Sequence, residues 1–175
     1  MKQKFLSLFV VFSLSLLSSY AFALEIGVID LKNISKESKA ISYVEKEVKE
    51  QKENFQKEID KKRNSLERDV QKFKEKAEKM KKEDVEKKQK ALQKDLNDLK
   101  ESAEKKQKSL NEGLNKALEE VNSEMQKIIA KISKEKGLKL VVTSAQAVYF
   151  EDSLDITQEV IKELNNKVSK VKVKF

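Results

Sequence analysis

The residues able to do acid-base or nucleophilic chemistry in this chain are almost all lysines and carboxylates. The sequence contains 38 Lys and Arg, 30 Asp and Glu, and neither His nor Cys. It therefore lacks an imidazole base, a thiol nucleophile and the soft ligands that zinc prefers. No pair of carboxylates or lysines stands out by its spacing. We accordingly expect no enzyme, no catalytic residue, no metal site and no cofactor.

The lysines concentrate near the middle of the chain. Residues 72–90 hold nine lysines and five acidic residues, in a chain whose formal net charge is +8. Such a patch suits an anionic lipid or lipopolysaccharide surface, although a solvated helical face is an equally good interpretation. The candidate residues for this contact are Lys79, Lys81, Lys82, Lys87 and Lys88. Because no recognition motif or aromatic stacking platform accompanies the charge, we expect no specific nucleic-acid partner.

These lysines lie in a segment that the pattern predicts to be helical. The sequence has no Pro and only 3 Gly, the two residues that most disfavour helix interiors. Apolar residues recur at steps of three, four and seven, as in a coiled coil. The first series is Val48, Phe55, Ile59, Leu66, Val70, Phe73, Ala77 and Met80; the second is Leu92, Leu96, Leu99, Ala103, Leu110, Leu114, Ala117, Val121, Met125, Ile128 and Ile132.

The two series flank a polar midpoint at residues 81–88, where the apolar stripe lapses. One interpretation is an antiparallel helical hairpin over residues 41–136, and the other is one continuous rod over the same residues. Strand-like segments at both ends of the chain favour the hairpin, because they can meet only if the helical arm leaves and returns.

Those strand-like segments are β-branched and apolar. Residues 25–31 and 138–143 are predicted strands, and residues 147–150 a third. Asn33 and Ser35 are candidate helix caps after the first strand. Gly137 is expected to end the helical arm in the left-handed conformation. A last helix is expected after Asp155, and the alternating Val and Lys of residues 168–175 predict an edge strand or a frayed basic end.

The N-terminus has the pattern of a secretory signal peptide. Lys2 and Lys4 precede an apolar run at residues 5–17, and Ala21 and Ala23 supply the small residues that a signal peptidase requires. We expect export to the periplasm with cleavage after Ala23. An uncleaved membrane anchor is disfavoured because 13 helical residues span about 20 Å, against a hydrocarbon core of about 30 Å.

The order of these features resembles the Skp (OmpH-like) family of periplasmic chaperones. The resemblance is carried by residues 26–30 (IGVID), the charged helical region, residues 137–142 (GLKLVV), residues 147–150 (AVYF) and residues 155–157 (DIT). It implies a mainly α fold, with a long antiparallel coiled-coil hairpin at 41–136 inserted in a small α/β trimerisation body at 24–40 and 137–175. It also implies an ATP-independent holdase that keeps unfolded outer-membrane proteins from aggregating.

The resemblance leads to two further sets of candidate residues. The homotrimer is expected to assemble through Ile26, Val28, Ile29, Leu140, Val141 and Val142, which would close the open edges of a small sheet. Contact with the client is expected at Phe73, Met80, Val85 and Ala91, although Phe73 and Met80 also fit the seam between the arms. The alternative function is a periplasmic coiled-coil spacer or tether, and a nucleic-acid condensing protein is disfavoured by the predicted export.

Overall fold

A computed structural model describes residues 25–175, which are mainly helical with one pair of short strands. The expected signal peptide at residues 1–23 lies outside this range. In chain order the elements are β1 (Ile26–Ile29), α1 (Leu31–Glu37), α2 (Lys39–Ala77), α3 (Lys82–Lys136), β2 (Leu140–Thr143) and α4 (Thr157–Lys167), with single 3₁₀ turns at Ser144–Gln146 and Asp152–Leu154.

The two strands are parallel, with Ile26 opposite Leu140 and Ile29 opposite Thr143. Parallel neighbours need a long crossover connection, and here α1, α2 and α3 supply it. On the other side of β1, the Ile156 N–H donates to the Val28 carbonyl at 2.9 Å. β1 is therefore held between β2 and the segment that leads into α4.

The prediction of a strand at residues 147–150 is wrong. These residues pair with no strand, and the side chains of Val148 and Tyr149 are largely exposed. Their β-branched and aromatic composition suits a sheet, but residues 155 and 156, rather than these four, lie along the second side of β1.

Two side chains cap the helices that follow β1. The Asp30 carboxylate accepts from the backbone N–H groups of Lys32 and Asn33 at 2.8 and 3.0 Å. Ser38, which is buried, accepts from the Ile41 N–H at 3.3 Å and begins α2. The predicted caps Asn33 and Ser35 are wrong, because both residues lie inside α1.

The long helices are separated by a break at residues 78–81, so residues 41–136 do not form one continuous helix. α2 and α3 have 39 and 55 residues, and are therefore about 60 and 80 Å long. The polar stretch at 81–88 mostly forms the first turns of α3. At the other end of α3, Gly137 has φ 70° and ψ 13°, the left-handed cap that the sequence predicts.

Residues from the middle of α2 onward lie beside residues in the first half of α3. Glu58 and Lys106 form an ion pair at 2.7 Å. Further along, Leu66 and Asp69 of α2 line the same cavity as residues 95, 98 and 99 of α3. Most of the buried residues of the two helices lie on the predicted stripe: Ile59, Leu66, Leu92, Leu110, Ala117, Val121, Ile128 and Ile132. Leu96 departs from it, with 52% of its surface exposed.

The main core lies where the long helices meet the strands. Its completely enclosed side chains include Ile34 of α1, Val44 of α2 and Ile132 of α3. α4 closes the cluster with its predicted apolar face, Val160, Ile161 and Leu164. Apolar area removed from water is the main favourable contribution here.

The C-terminal tail (residues 168–175) is neither an edge strand nor a frayed end. Val171 and Val173 are buried in the core cluster. The ring of Phe175 stands edge-on to Phe55, with centroids 6.5 Å apart. The tail follows α2 and α3 because its valines find apolar surface there.

Candidate functional site

The arm tip (residues 72–90) carries the predicted lysine cluster on the end of α2, the break and the start of α3. Lys79, Lys81, Lys82, Lys87 and Lys88 are all exposed. Lys87 is engaged with Glu83 at 2.8 Å. Within residues 25–175 the other four make no ion pair. These four ammonium groups are therefore available to an anionic surface, while Lys87 is partly neutralised.

The predicted client-contact residues lie at the same end of the molecule. Phe73, Met80 and Val85 are half-buried and Ala91 is exposed. Between Leu66 on α2 and Leu92 on α3, no residue is fully buried. Packing between the helices is thus looser towards the tip, and part of each apolar side chain remains accessible.

The expected trimer-body residues differ in how much of their surface is exposed. Val28 and Ile29 are buried within the chain, and Ile26, Val141 and Val142 are half-buried. Leu140 has 47% of its surface exposed. A side chain already enclosed by its own chain has little surface left for a second copy, so Leu140 is the strongest of the six for an intermolecular contact.

Sequence reasoning missed the most exposed part of this region. β2 has a neighbour on one side only in the two-stranded sheet. The large exposed apolar residues Val148 and Tyr149 follow it in the chain. An unpaired strand edge beside exposed apolar side chains is a surface suited to pairing with another chain. The signal was present in the AVYF segment, but it was interpreted as a strand within one chain.

A groove between α2 and α3, the arm groove, is the third candidate surface. It is defined by Tyr43 and Phe55 of α2 and Lys106 and Gly113 of α3, and it holds the C-terminal tail. The Lys106 ammonium lies 4.0 Å from the centroid of the Phe55 ring, a favourable cation–π geometry. Its hydrogen bond to Glu58 lowers the pKa of that carboxyl below its ordinary value. The hydrogen bond to Glu58 and the cation–π contact together hold the Lys106 side chain over the ring.

Residues 25–175 contain no cluster of three or more acidic, His or Cys side chains able to hold a metal ion. In the same residues no helix is long and apolar enough to cross a bilayer.

Comparisons with known proteins agree with this architecture. Residues 25–164 match the family described as outer membrane protein (OmpH-like). The fold is similar to that of a crystal structure from Caulobacter crescentus CB15, assigned as an OmpH-like outer membrane chaperone, with a TM-score of 0.80 and 16% sequence identity. The match covers 86% of this chain and 89% of that one. No curated protein matches the chain in sequence. The tail, residues 168–175, lies beyond the residues that the family match covers.

Proposed function

This chain belongs to the OmpH-like family, and from that premise we propose that it is an ATP-independent periplasmic holdase for unfolded outer-membrane proteins. A chaperone role is what the family match and the structural likeness support together. The observation that carries the holdase proposal is the arm: two long helices, side by side, whose packing loosens towards a tip with accessible apolar side chains.

The first part of the proposal is that α2 and α3 form an antiparallel hairpin. The pairing of Glu58 with Lys106, and the shared cavity of residues 66 and 69 with 95 and 98, support it. Residue numbers rise along one helix as they fall along the other. An arm of about 60 Å then projects from the strand pair and α4, which is long enough to lie against an extended client chain.

The client is recognised by its chemistry rather than by a fixed shape. Unfolded β-barrel chains carry apolar residues in alternation and aggregate when left free. Weak, adaptable apolar contacts suit such a client, and Met is especially adaptable because its side chain is flexible and polarisable. Phe73, Met80, Val85 and Ala91 provide contacts of this kind.

The second part of the proposal is a homotrimer. The open edge of β2, with Leu140, and the exposed Val148 and Tyr149 provide the surface that a neighbouring copy would cover. Three arms carried on one body would then surround a client. The exposed tip lysines add a third element, because they would bring the arms to anionic lipid or lipopolysaccharide surfaces where the client is delivered.

The test is light scattering of a urea-denatured β-barrel membrane protein diluted into buffer without nucleotide. The intact chain should suppress aggregation at near-stoichiometric trimer. Replacing Phe73, Met80 and Val85 with Ser should raise several-fold the amount of protein required to suppress aggregation. A matched control replaces Gln71, Gln89 and Gln93, exposed polar residues of the same arm, with Ser and should protect as the intact chain does.

The outcomes separate the holdase from a structural spacer. If the variant that loses the apolar side chains protects as well as the Gln-to-Ser control, the tip is not the client site. Absence of protection by the intact chain at any excess would contradict the holdase function and leave a periplasmic spacer or tether as the alternative.

A further inference from the structure

The C-terminal tail occupies the arm groove as an extended chain. Lys170 lies near Tyr43, with its ammonium 5.7 Å from the ring centroid, and Phe175 lies against Phe55. The twelve helical steps from Tyr43 to Phe55 rise about 18 Å. The tail between its own two contacts has five steps, which span about 17 Å when extended. The tail therefore runs along α2 in a strand-like conformation.

Alternation decides which tail side chains the groove accepts. Val171 and Val173 are buried, whereas Lys170, Lys172 and Lys174 are exposed. This is the period of two of a β-strand with one apolar face. The groove thus takes in alternate apolar side chains and leaves the intervening polar ones in water.

Side chains, rather than the backbone, hold the tail. Among the described residues, no hydrogen bond links the backbone of residues 169–175 to the rest of the chain. A strand added to a sheet has its register fixed by ladder hydrogen bonds, and the tail has no such constraint. Another extended segment with the same alternation could therefore occupy the groove in more than one register.

Gly113 forms the floor of the groove at the point where the tail crosses α3. A Cβ atom there would lie 2.7 Å from the carbonyl oxygen of Lys174 and 3.2 Å from a methyl of Val173. Glycine is a poor residue for a helix interior, so its presence in the middle of α3 needs a reason. The close approach of an extended backbone supplies one.

The groove also continues beyond the last residue of the tail. A cavity of about 510 Å³ extends from Phe55 and Phe175 to Asp98, Ser102 and Lys105. These residues are on the tip side of Gly113, so a segment longer than the tail has room to continue along the arm. Both signs of charge line this part, which suits the alternate polar side chains of such a segment.

We propose that the arm groove is a binding site for extended client segments with alternating apolar residues, and that the tail is its built-in competitor. The identity of the partner, an unfolded membrane β-strand, rests on the proposed holdase function, because such strands carry this alternation. A tethered competitor acts at a high effective concentration. An isolated strand segment therefore does not displace the tail from the arm groove, whereas a client that offers several segments at once does.

The first experiment measures binding of a fluorescein-labelled peptide, with the sequence of residues 168–175, to the protein shortened to end at Lys167. The peptide should bind this protein and bind the full chain at least tenfold more weakly, because the tethered tail already occupies the groove. Gly113→Leu in the shortened protein should abolish binding. A control peptide of the same composition, with its three valines adjacent, should bind at least tenfold more weakly. Unlabelled urea-denatured β-barrel protein should displace the labelled peptide.

A second measurement uses the full chain, so that the proposal stays testable if the shortened protein does not fold. The sequence has no Trp, so Phe175→Trp gives a single reporter on the tail. Adding Gly113→Ala should release the tail and lower the Trp fluorescence anisotropy while leaving the helical circular dichroism intact. Addition of the denatured client to the full chain with a fluorescent label at residue 175 should lower the label's anisotropy in the same way.

In the peptide experiment, three results would overturn the proposal: no binding of the peptide to a folded shortened protein, equal binding by its Gly113→Leu variant, or no displacement of the peptide by a client that the protein protects. An unchanged anisotropy in the Gly113→Ala chain would do so as well. Failure of the holdase function itself is seen separately, because the light-scattering assay uses the intact chain and no peptide.

Discussion

The side chain of Thr157 connects the end of β1 with the start of α4. It is buried, and its hydroxyl oxygen accepts from the backbone N–H of Asp30 at 2.8 Å. Its own N–H donates to Asp155 at 2.7 Å. The hydroxyl thus satisfies a donor at the end of β1 from the first residue of α4. The DIT segment was recognisable in the sequence, but this partner, 127 positions away, was not.

Thr157→Val should lower the free energy of unfolding by about 1–3 kcal/mol, because it keeps the volume but leaves the Asp30 N–H without an acceptor. Thr157→Ser retains the hydroxyl and serves as the control, with a smaller loss. Urea unfolding followed by circular dichroism measures both. A valine variant as stable as the serine variant would show that water replaces the lost acceptor.

The tip lysines give a second prediction at the scale of residues. Binding to acidic liposomes should be strongly reduced when five tip lysines are replaced with Gln: Lys79, Lys81, Lys82, Lys87 and Lys88. The binding of the intact chain should also fall with salt, because exposed charges are screened beyond about 10 Å at 0.1 M. The matched control makes the same change at five lysines that are in ion pairs: Lys46, Lys100, Lys105, Lys108 and Lys127. Equal binding by the two variants would assign the effect to net charge alone.

Among the elements, α4 packs its apolar face on the core at the base of the arm, and charged and polar side chains surround that contact. Lys131 pairs with Glu163 at 3.0 Å and Lys136 with Glu159 at 2.9 Å. Asn165 reaches the junction of α1 and α2, where it accepts from the Lys39 N–H at 2.7 Å and donates to the Glu37 carbonyl at 3.0 Å. These contacts place the start of the tail beside α2.

Glu124 makes this attachment sensitive to acid. Hydrogen bonds from Lys127 and then from Lys167 of α4 lower its pKa below the ordinary value of 4.5. A lowered folded-state pKa contributes stability above the unfolded-state pKa, and that contribution is lost as pH falls through the folded-state pKa. Melting temperature should therefore fall below about pH 4.5, and less steeply in Glu124→Gln. Between pH 6 and 8 it should stay nearly constant, since the sequence has no His. Parallel acid profiles of the two proteins would contradict this role.

The elements also show where sequence reasoning succeeds and where it stops. Helical periodicity predicts the buried stripe, and Gly137 predicts the end of α3, because both signals are local. The choice between Asn33 and Asp30 as the first cap depends on where β1 ends. The strand predicted at 147–150 and the edge strand considered for the tail depend on which partner surface is free. Such long-range competition leaves no trace in local composition.

The molecule as a whole combines a small strand-and-helix base with a long arm, and the arm residues next to the base, such as Val44 and Ile132, belong to the core. Two parallel strands of four residues each make a poor independent sheet, since small sheets bury little area and leave edges open. Association through the open edge of β2 would correct this weakness. It would also set several arms around one volume, which connects the proposed assembly to the proposed holding of clients.

The central claim is that the chain holds an unfolded membrane β-barrel protein passively. Sedimentation velocity of a labelled, urea-denatured barrel protein, diluted into nucleotide-free buffer with an excess of the intact chain, tests it most directly. We predict one soluble species that contains one client and three copies of the chain, with the client still lacking barrel structure by circular dichroism. A client that pellets as it does alone, or that sediments separately from the chain at every excess, would contradict the account.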